Sequence, residues 1–156
     1  MLSVALLKPP VALLVDNDSF VVSTLKAIAE GVGYSVIAHT RFETARRELS
    51  SQPPSALVAN ARLEAFNGIH LAYLAKFADF SVRALIYAHP HDPWLACEVR
   101  RAGAFYERQH LLPSSLGVLL RAALPPTDRR DTLTACRRTT FRGGRRTSDR
   151  VNLHLP

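Results

Sequence analysis

The sequence contains no apolar run of the roughly 18 residues that a transmembrane helix needs, and no Gly-rich loop of the kind that holds phosphates. The N-terminus lacks the basic stretch that opens a secretory signal. Only two cysteines occur, Cys97 and Cys136, without a CxxC pair. Neither a zinc site nor a disulfide framework is therefore indicated, and Cys97 is expected to be a buried thiol. These absences predict a cytoplasmic protein without a membrane span.

Lysine is scarce as well, with 3 lysines against 17 arginines, and the charge is unevenly distributed. Residues 1–126 hold 12 Lys and Arg against 10 Asp and Glu, whereas residues 127–156 hold 8 Arg against 3 Asp. The second segment follows Pro125-Pro126 and shows no sustained hydrophobic period. We therefore predict an N-terminal extension (1–10), one domain (11–126) and an Arg-rich, disordered tail (127–156).

The tail combines Arg-Gly-Gly-Arg with one aromatic residue, a pattern typical of sequence-tolerant nucleic-acid binding. Arginines neutralise phosphates, and an aromatic ring stacks on a base. The candidate DNA or RNA contacts are Arg137, Arg138, Phe141, Arg142, Arg145, Arg146 and Arg150. Because arginine is enriched throughout the chain, a solvated tail without a ligand and a tail bound to an acidic protein or membrane surface are the alternatives.

Apolar segments alternate with amphipathic ones in the predicted domain. Strands are predicted at 11–16, 34–39, 55–60, 82–88 and 103–106. The intervening helices are predicted to start at an Asp18 N-cap, at a Thr40/Glu43 capping box over Arg41–Leu49, at Asn67-Gly68, at Asp92-Pro93 and, over Pro113–Leu124, at a proline. The strands are apolar enough to be covered on both faces. The predicted fold class is α/β, a doubly wound, flavodoxin-like five-stranded parallel sheet with helices on both faces.

Ligands on such sheets bind at the carboxyl ends of the strands. That edge is predicted to collect Asp16, Asn17, Asp18, Asn60, Tyr87 and Gln109, together with the loop His89–Asp92. The loop has metal-ligand residue types but no third histidine nearby, which favours a polar loop in which Asp92 caps a helix. No nucleophile–base pair is evident, so an enzyme is not expected.

The order Leu-Val-Asp16-Asn17-Asp18, Leu-Val-Ala-Asn60, Leu-Ile-Tyr87-Ala88 and Ala-Gly103-Ala resembles the receiver domain of bacterial two-component response regulators. In that family, acidic residues hold Mg²⁺ and an aspartate takes a phosphoryl group from a histidine kinase, while a hydroxyl and a lysine grip the phosphoryl oxygens. The resemblance implies a degenerate phosphorylation pocket, formed by Asp16, Asn17, Asn60, Tyr87 and Gln109.

A carboxylate can form an acyl phosphate and an amide cannot, so phosphorylation of Asn60 is not expected. Mg²⁺ usually needs a carboxylate or two, and its binding is expected to be weak or lost, leaving no cofactor. The losses suggest a neutralised pocket held by hydrogen bonds. The alternative is that Asp18 or Glu64 takes over as the reactive acid. We predict a stand-alone receiver-like protein of two-component or phosphorelay signalling that acts as a phosphorylation-independent protein-interaction module.

Three aromatic residues are the predicted partner-binding surface: Tyr87, Trp94 and Tyr106. For Tyr87, the alternative is a ring that packs on the sheet edge with its hydroxyl in water. The family resemblance implies a protein partner, either a histidine kinase or another regulator, and allows a homodimer through the receiver face.

Overall fold

The computed structural model of the chain describes residues 8–64, 66–78 and 81–122. The strands are β1 (Val11–Val15), β2 (Ser35–His39), β3 (Ala56–Asn60), β4 (Arg62–Leu63), β5 (Phe66–Asn67), β6 (Arg83–Ala88) and β7 (Phe105–Arg108). The helices are α1 (Ser19–Gly31), α2 (Phe42–Ser51), α3 (Ile69–Phe77), α4 (Pro93–Arg101) and α5 (Leu112–Arg121), and a 3-10 turn (Gln109–Leu111) precedes α5. The predicted boundary at 126, the tail and its seven nucleic-acid candidates lie outside the described residues.

Five strands form one parallel sheet in the order β2-β1-β3-β6-β7, as the alternating pattern predicted. Side chains alternate between its two faces. Leu13 and Val15 of β1 belong to a buried cluster with residues of α2, α3 and α4, whereas Ala12 and Leu14 belong to a second cluster with residues of α1 and α5. The predicted doubly wound α/β fold is therefore confirmed. No described helix is long and apolar enough to cross a membrane.

The predicted N-terminal caps of two helices are also confirmed. Asp18 caps α1 by accepting hydrogen bonds from the N–H groups of Phe20 and Val21 at 2.9 and 3.4 Å. Asp92 caps α4 in the same way, with Pro93 at the first helical turn. Helix α1 ends at Gly31, and Gly33 then adopts a φ of 92°, a conformation that glycine reaches without strain. Both Asp-capped helices begin at the carboxyl edge of the sheet.

Several local predictions are wrong. The N-cap of α2 is Arg41, without a side-chain cap, so the Thr40/Glu43 capping box does not form. Burial of Phe42 on the inner face of α2 sets the start of that helix one residue later than the box requires. The spacing of apolar residues in α3 also predicts that Phe77 lies on the buried side of that helix, and Phe77 is instead 80% exposed.

Cys97 is buried on α4, as expected, but it is disulfide-bonded, and the expectation of a free thiol is therefore wrong. Spacing along the chain does not indicate this, because disulfide pairing depends on separation in the fold.

Candidate functional site

Asp16 follows β1 at the carboxyl edge of the sheet and is only 1% exposed. Three donors of the chain itself bind its carboxylate. The backbone N–H of Asp18 donates to Oδ1 at 2.9 Å, while the Asn60 side-chain amide and the Tyr87 hydroxyl donate to Oδ2 at 3.1 and 2.5 Å. A buried carboxylate is tolerated when its oxygens are hydrogen-bonded in this way. The structure thus brings Asp16, Asn60 and Tyr87 together, as predicted, in a pocket held by hydrogen bonds.

Tyr87 is fully buried near the end of β6, within the apolar cluster shared by α1 and α5. Burial raises the pKa of its phenol well above the ordinary value, and the charge of Asp16, the hydrogen bond to Asp16 and the charge of Asp18 raise this pKa further. The phenol therefore stays neutral and donates a hydrogen bond to Asp16. The alternative of a hydroxyl in water is therefore wrong, and the prediction that Tyr87 belongs to the partner-binding surface is wrong as well, because the residue is fully buried.

A short hairpin that the sequence did not reveal fixes Asn60. Directly after β3, strands β4 and β5 pair antiparallel, with Arg62 opposite Asn67. The Asn60 side-chain oxygen accepts the Arg62 N–H at 2.9 Å, so its amide nitrogen is directed at Asp16. The hairpin closes where Gly68 donates its N–H to Ala61 at 2.9 Å. Two-residue strands carry no periodicity, so no hydrophobic pattern in the sequence indicates this hairpin.

The side chains of the other predicted pocket residues do not join this network among the described contacts. Asn17 is exposed, and the carboxylate of Asp18 is used as the cap of α1. Glu64 is exposed in the hairpin turn with a φ of 40°. Gln109 lies in the 3-10 turn and lines a separate cleft beside α1. Whether Asp18 or Glu64 could act as a substitute acid therefore stays a prediction.

The donor set does not fit Mg²⁺, the metal of receiver domains. Asp16 contributes a carboxylate, but both of its oxygens already accept hydrogen bonds from the chain. In the described part of the chain, no group of three or more His, Cys, Asp or Glu side chains is placed to hold a metal ion. A hard cation that needs carboxylate oxygens would have to displace Tyr87 or Asn60 to reach Oδ2, and Oδ1, which already accepts the Asp18 N–H, would be the single remaining carboxylate oxygen of Asp16.

A second surface lies on α4, β7 and α5. Trp94 is 54% exposed at the start of α4. The Tyr106 hydroxyl contacts His91 Nδ1 at 3.0 Å, and the Asp92 N–H donates to that hydroxyl at 3.5 Å. Beyond Tyr106, a cavity of about 540 Å³ separates β7 from α5, with the 69% exposed Val118 at its margin. Partner binding by Trp94 and Tyr106 stays a prediction.

No family model and no curated protein matches the sequence. Solved structures do match. A CheY-like response regulator receiver domain protein from Methanospirillum hungatei is 17% identical with a TM-score of 0.68, covering 73% of this chain and 92% of that one. A LuxR-family two-component response regulator from Aurantimonas is 23% identical with a TM-score of 0.64, covering 72% of this chain and 83% of that one.

The BeF3-activated receiver domain of DrrB, a Thermotoga maritima protein, is 15% identical with a TM-score of 0.65, covering 73% of this chain and 96% of that one. These likenesses agree with the doubly wound parallel fold described above. The chain has the fold of the response-regulator receiver domain.

Proposed function

We propose that this chain is a two-component signalling module that works without phosphorylation, binding a protein partner in a conformation that its own pocket holds. The observation that carries the proposal is the hydrogen bonding of Asp16. Its carboxylate is occupied by Tyr87, Asn60 and the Asp18 N–H, in the place where a metal-dependent receiver would need free oxygens.

The chemistry of Asn60 and Tyr87 supports the proposal independently of metal affinity. An amide at position 60 has no nucleophilic oxygen with which to form an acyl phosphate. The buried ring of Tyr87 and its hydroxyl fill the space beside Asp16. Because the phenol bonds the carboxylate directly, the pocket has a stable arrangement in the absence of any ligand.

A protein partner is proposed because the α4–β7–α5 surface remains exposed while the pocket is closed. It presents Trp94 at 54% exposure, and Val118 at 69% exposure beside the cavity that Tyr106 also lines. Exposed aromatic and apolar side chains are typical of protein interaction sites. The partner class proposed is a histidine kinase, another regulator or a second copy of this chain.

The test is a titration with Mg²⁺ and beryllofluoride, which mimics a phosphoryl group on a carboxylate, followed through the fluorescence of Trp94, the single tryptophan of the chain. We expect no response from the wild type, and no added phosphoryl mass after incubation with acetyl phosphate. An Asn17→Asp, Asn60→Asp variant supplies the missing acids and should gain a response. A saturating response from the wild type would mean that another acid, such as Asp18 or Glu64, carries the chemistry, and the proposal would then be wrong.

A further inference from the structure

We propose that the cleft between α1 and the start of α5 binds a small amphipathic anion, an apolar ring system that carries an acidic group. The cleft has a volume of about 330 Å³ and lies at the carboxyl edge of the sheet. Its walls are largely apolar. Phe20, Val21 and Leu25 of α1 form one side, and Leu112 and Pro113 of α5 form the other.

The polar residues of the cleft are Thr24, His89, Gln109 and His110, and its lining contains no acidic residue. Imidazole and carboxamide groups can donate hydrogen bonds, and bonds to a charged acceptor are stronger than bonds to a neutral one. A lining that holds side-chain donors but no carboxylate therefore favours an acidic group over a basic one.

The dimensions of the cleft indicate a small molecule. Ligand pockets commonly occupy roughly 300–1,000 Å³, and a cleft of about 330 Å³ is at the low end, suited to one fused ring system. Phe20 is 77% exposed at the margin, so its ring is available to close over a ligand. Leu25 and Leu112 belong to the buried cluster that also contains the ring of Tyr87. A ligand in the cleft would therefore contact the buried cluster that also contains the ring of Tyr87.

This assignment does not depend on the proposed signalling role, because it rests on the shape and lining of the cleft. The matched probes are 8-anilino-1-naphthalenesulfonate, which carries an acidic group, and N-phenyl-1-naphthylamine, its neutral counterpart. Fluorescence titrations of the full chain would measure binding of both. Thr24→Trp and Val21→Trp would each fill the cleft, whereas Val118→Trp fills the cavity beside β7 and serves as the control. Circular dichroism verifies that each variant is folded.

We expect saturable binding of the sulfonate, at least tenfold tighter than that of the neutral probe. Either cleft-filling variant should weaken it tenfold or more, His110→Ala should weaken it several-fold, and Val118→Trp should leave it unchanged. Equal affinity for the two probes would overturn the claim of an acidic group. Binding that both cleft-filling variants leave unchanged would place the probe elsewhere, including on the Arg-rich tail, and would overturn the site. Because no part of this experiment involves Mg²⁺ or phosphoryl chemistry, its failure would leave the proposed function untouched.

Discussion

The Tyr87 hydroxyl lies 2.5 Å from Asp16 Oδ2, and both residues are at most 1% exposed. Replacing Tyr87 by phenylalanine would keep the ring but leave the buried carboxylate with one donor fewer. We expect the free energy of unfolding to fall by about 1–3 kcal/mol, the cost of an unsatisfied buried group. Urea denaturation monitored by circular dichroism would measure it.

Tyr34→Phe is the matched control for this substitution. The Tyr34 hydroxyl donates to the Leu120 carbonyl at 3.2 Å in a partly buried position, so its removal should cost only about 0.5–1.5 kcal/mol. A Tyr87→Phe variant as stable as the wild type would show that the hydroxyl is not needed to satisfy Asp16.

The raised pKa of Tyr87 makes a separate prediction about alkaline pH. Because the folded-state pKa is higher than the unfolded-state pKa, the neutral phenol contributes stability that is fully present below the ordinary value of 10.0 and is lost as the pH rises beyond it. The wild type should lose stability above that pH more steeply than Tyr87→Phe. Urea midpoints measured across the alkaline range test this, and identical slopes for the two proteins would contradict it.

At the level of elements, the β4–β5 hairpin holds Asn60 in place. A Cβ on Gly68 would overlap the Asn60 carbonyl oxygen and lie 2.9 Å from the carbonyl carbon. Backbone atoms cannot move aside as a flexible side chain can. Gly68→Ala should therefore destabilise the protein by about 1–3 kcal/mol, as overpacking usually does, and it should displace Asn60 from Asp16. Urea denaturation would measure the first effect, and amide chemical shifts around Asp16 the second.

Gly117→Ala provides the opposite expectation within the same protein. A Cβ there would lie 3.5 Å from Val32 Cγ1, an ordinary contact, and Gly117 is inside α5. Alanine in a helix interior is favoured over glycine by roughly 0.5–1 kcal/mol, so this variant should be slightly more stable. If Gly68→Ala were also neutral or stabilising, the hairpin would not constrain Asn60 as described.

The elements also show what the sequence could predict. Strand β1 and helix α1 were predictable because a five-residue apolar run and an Asp cap are local signals. The two-residue strands β4 and β5 have no such period, and the start of α2 depends on which residue the sheet buries. Tertiary packing determines where these elements form and begin, because it overrides local conformational preference.

The sequence predicted which residues form the pocket but not which hydrogen bonds join them. The carboxyl-edge rule placed Asp16, Asn60 and Tyr87 together without sequence similarity to any one protein. That the Tyr87 hydroxyl turns inward to Asp16, 71 positions away, follows from the register of β6 beside β3 and of β3 beside β1. Side-chain direction at a strand end is set by such neighbours, so the sequence left it open.

For the whole molecule, apolar clusters cover both faces of the sheet, and the buried carboxylate of the pocket has its hydrogen-bond donors within the chain. The net positive charge is concentrated in residues 127–156. This segment carries 8 Arg against 3 Asp, in a chain whose formal net charge is +7.

If the tail binds nucleic acid, this distribution of charge predicts that binding depends on the tail and on the salt concentration. Phosphate contacts release counterions, so affinity falls steeply with salt in proportion to the number of contacts. The full chain should bind labelled single-stranded RNA or duplex DNA at low salt, as measured by fluorescence anisotropy, and release it as salt rises.

Residues 1–126, shown to be folded by circular dichroism, should bind at least tenfold more weakly and with a shallower salt dependence, because they hold 12 Lys and Arg against 10 Asp and Glu. Phe141→Ala in the full chain separates the two components, since it removes the predicted base stacking but none of the charge. Undiminished binding by residues 1–126 would assign the interaction to the folded domain and exclude the tail as its source.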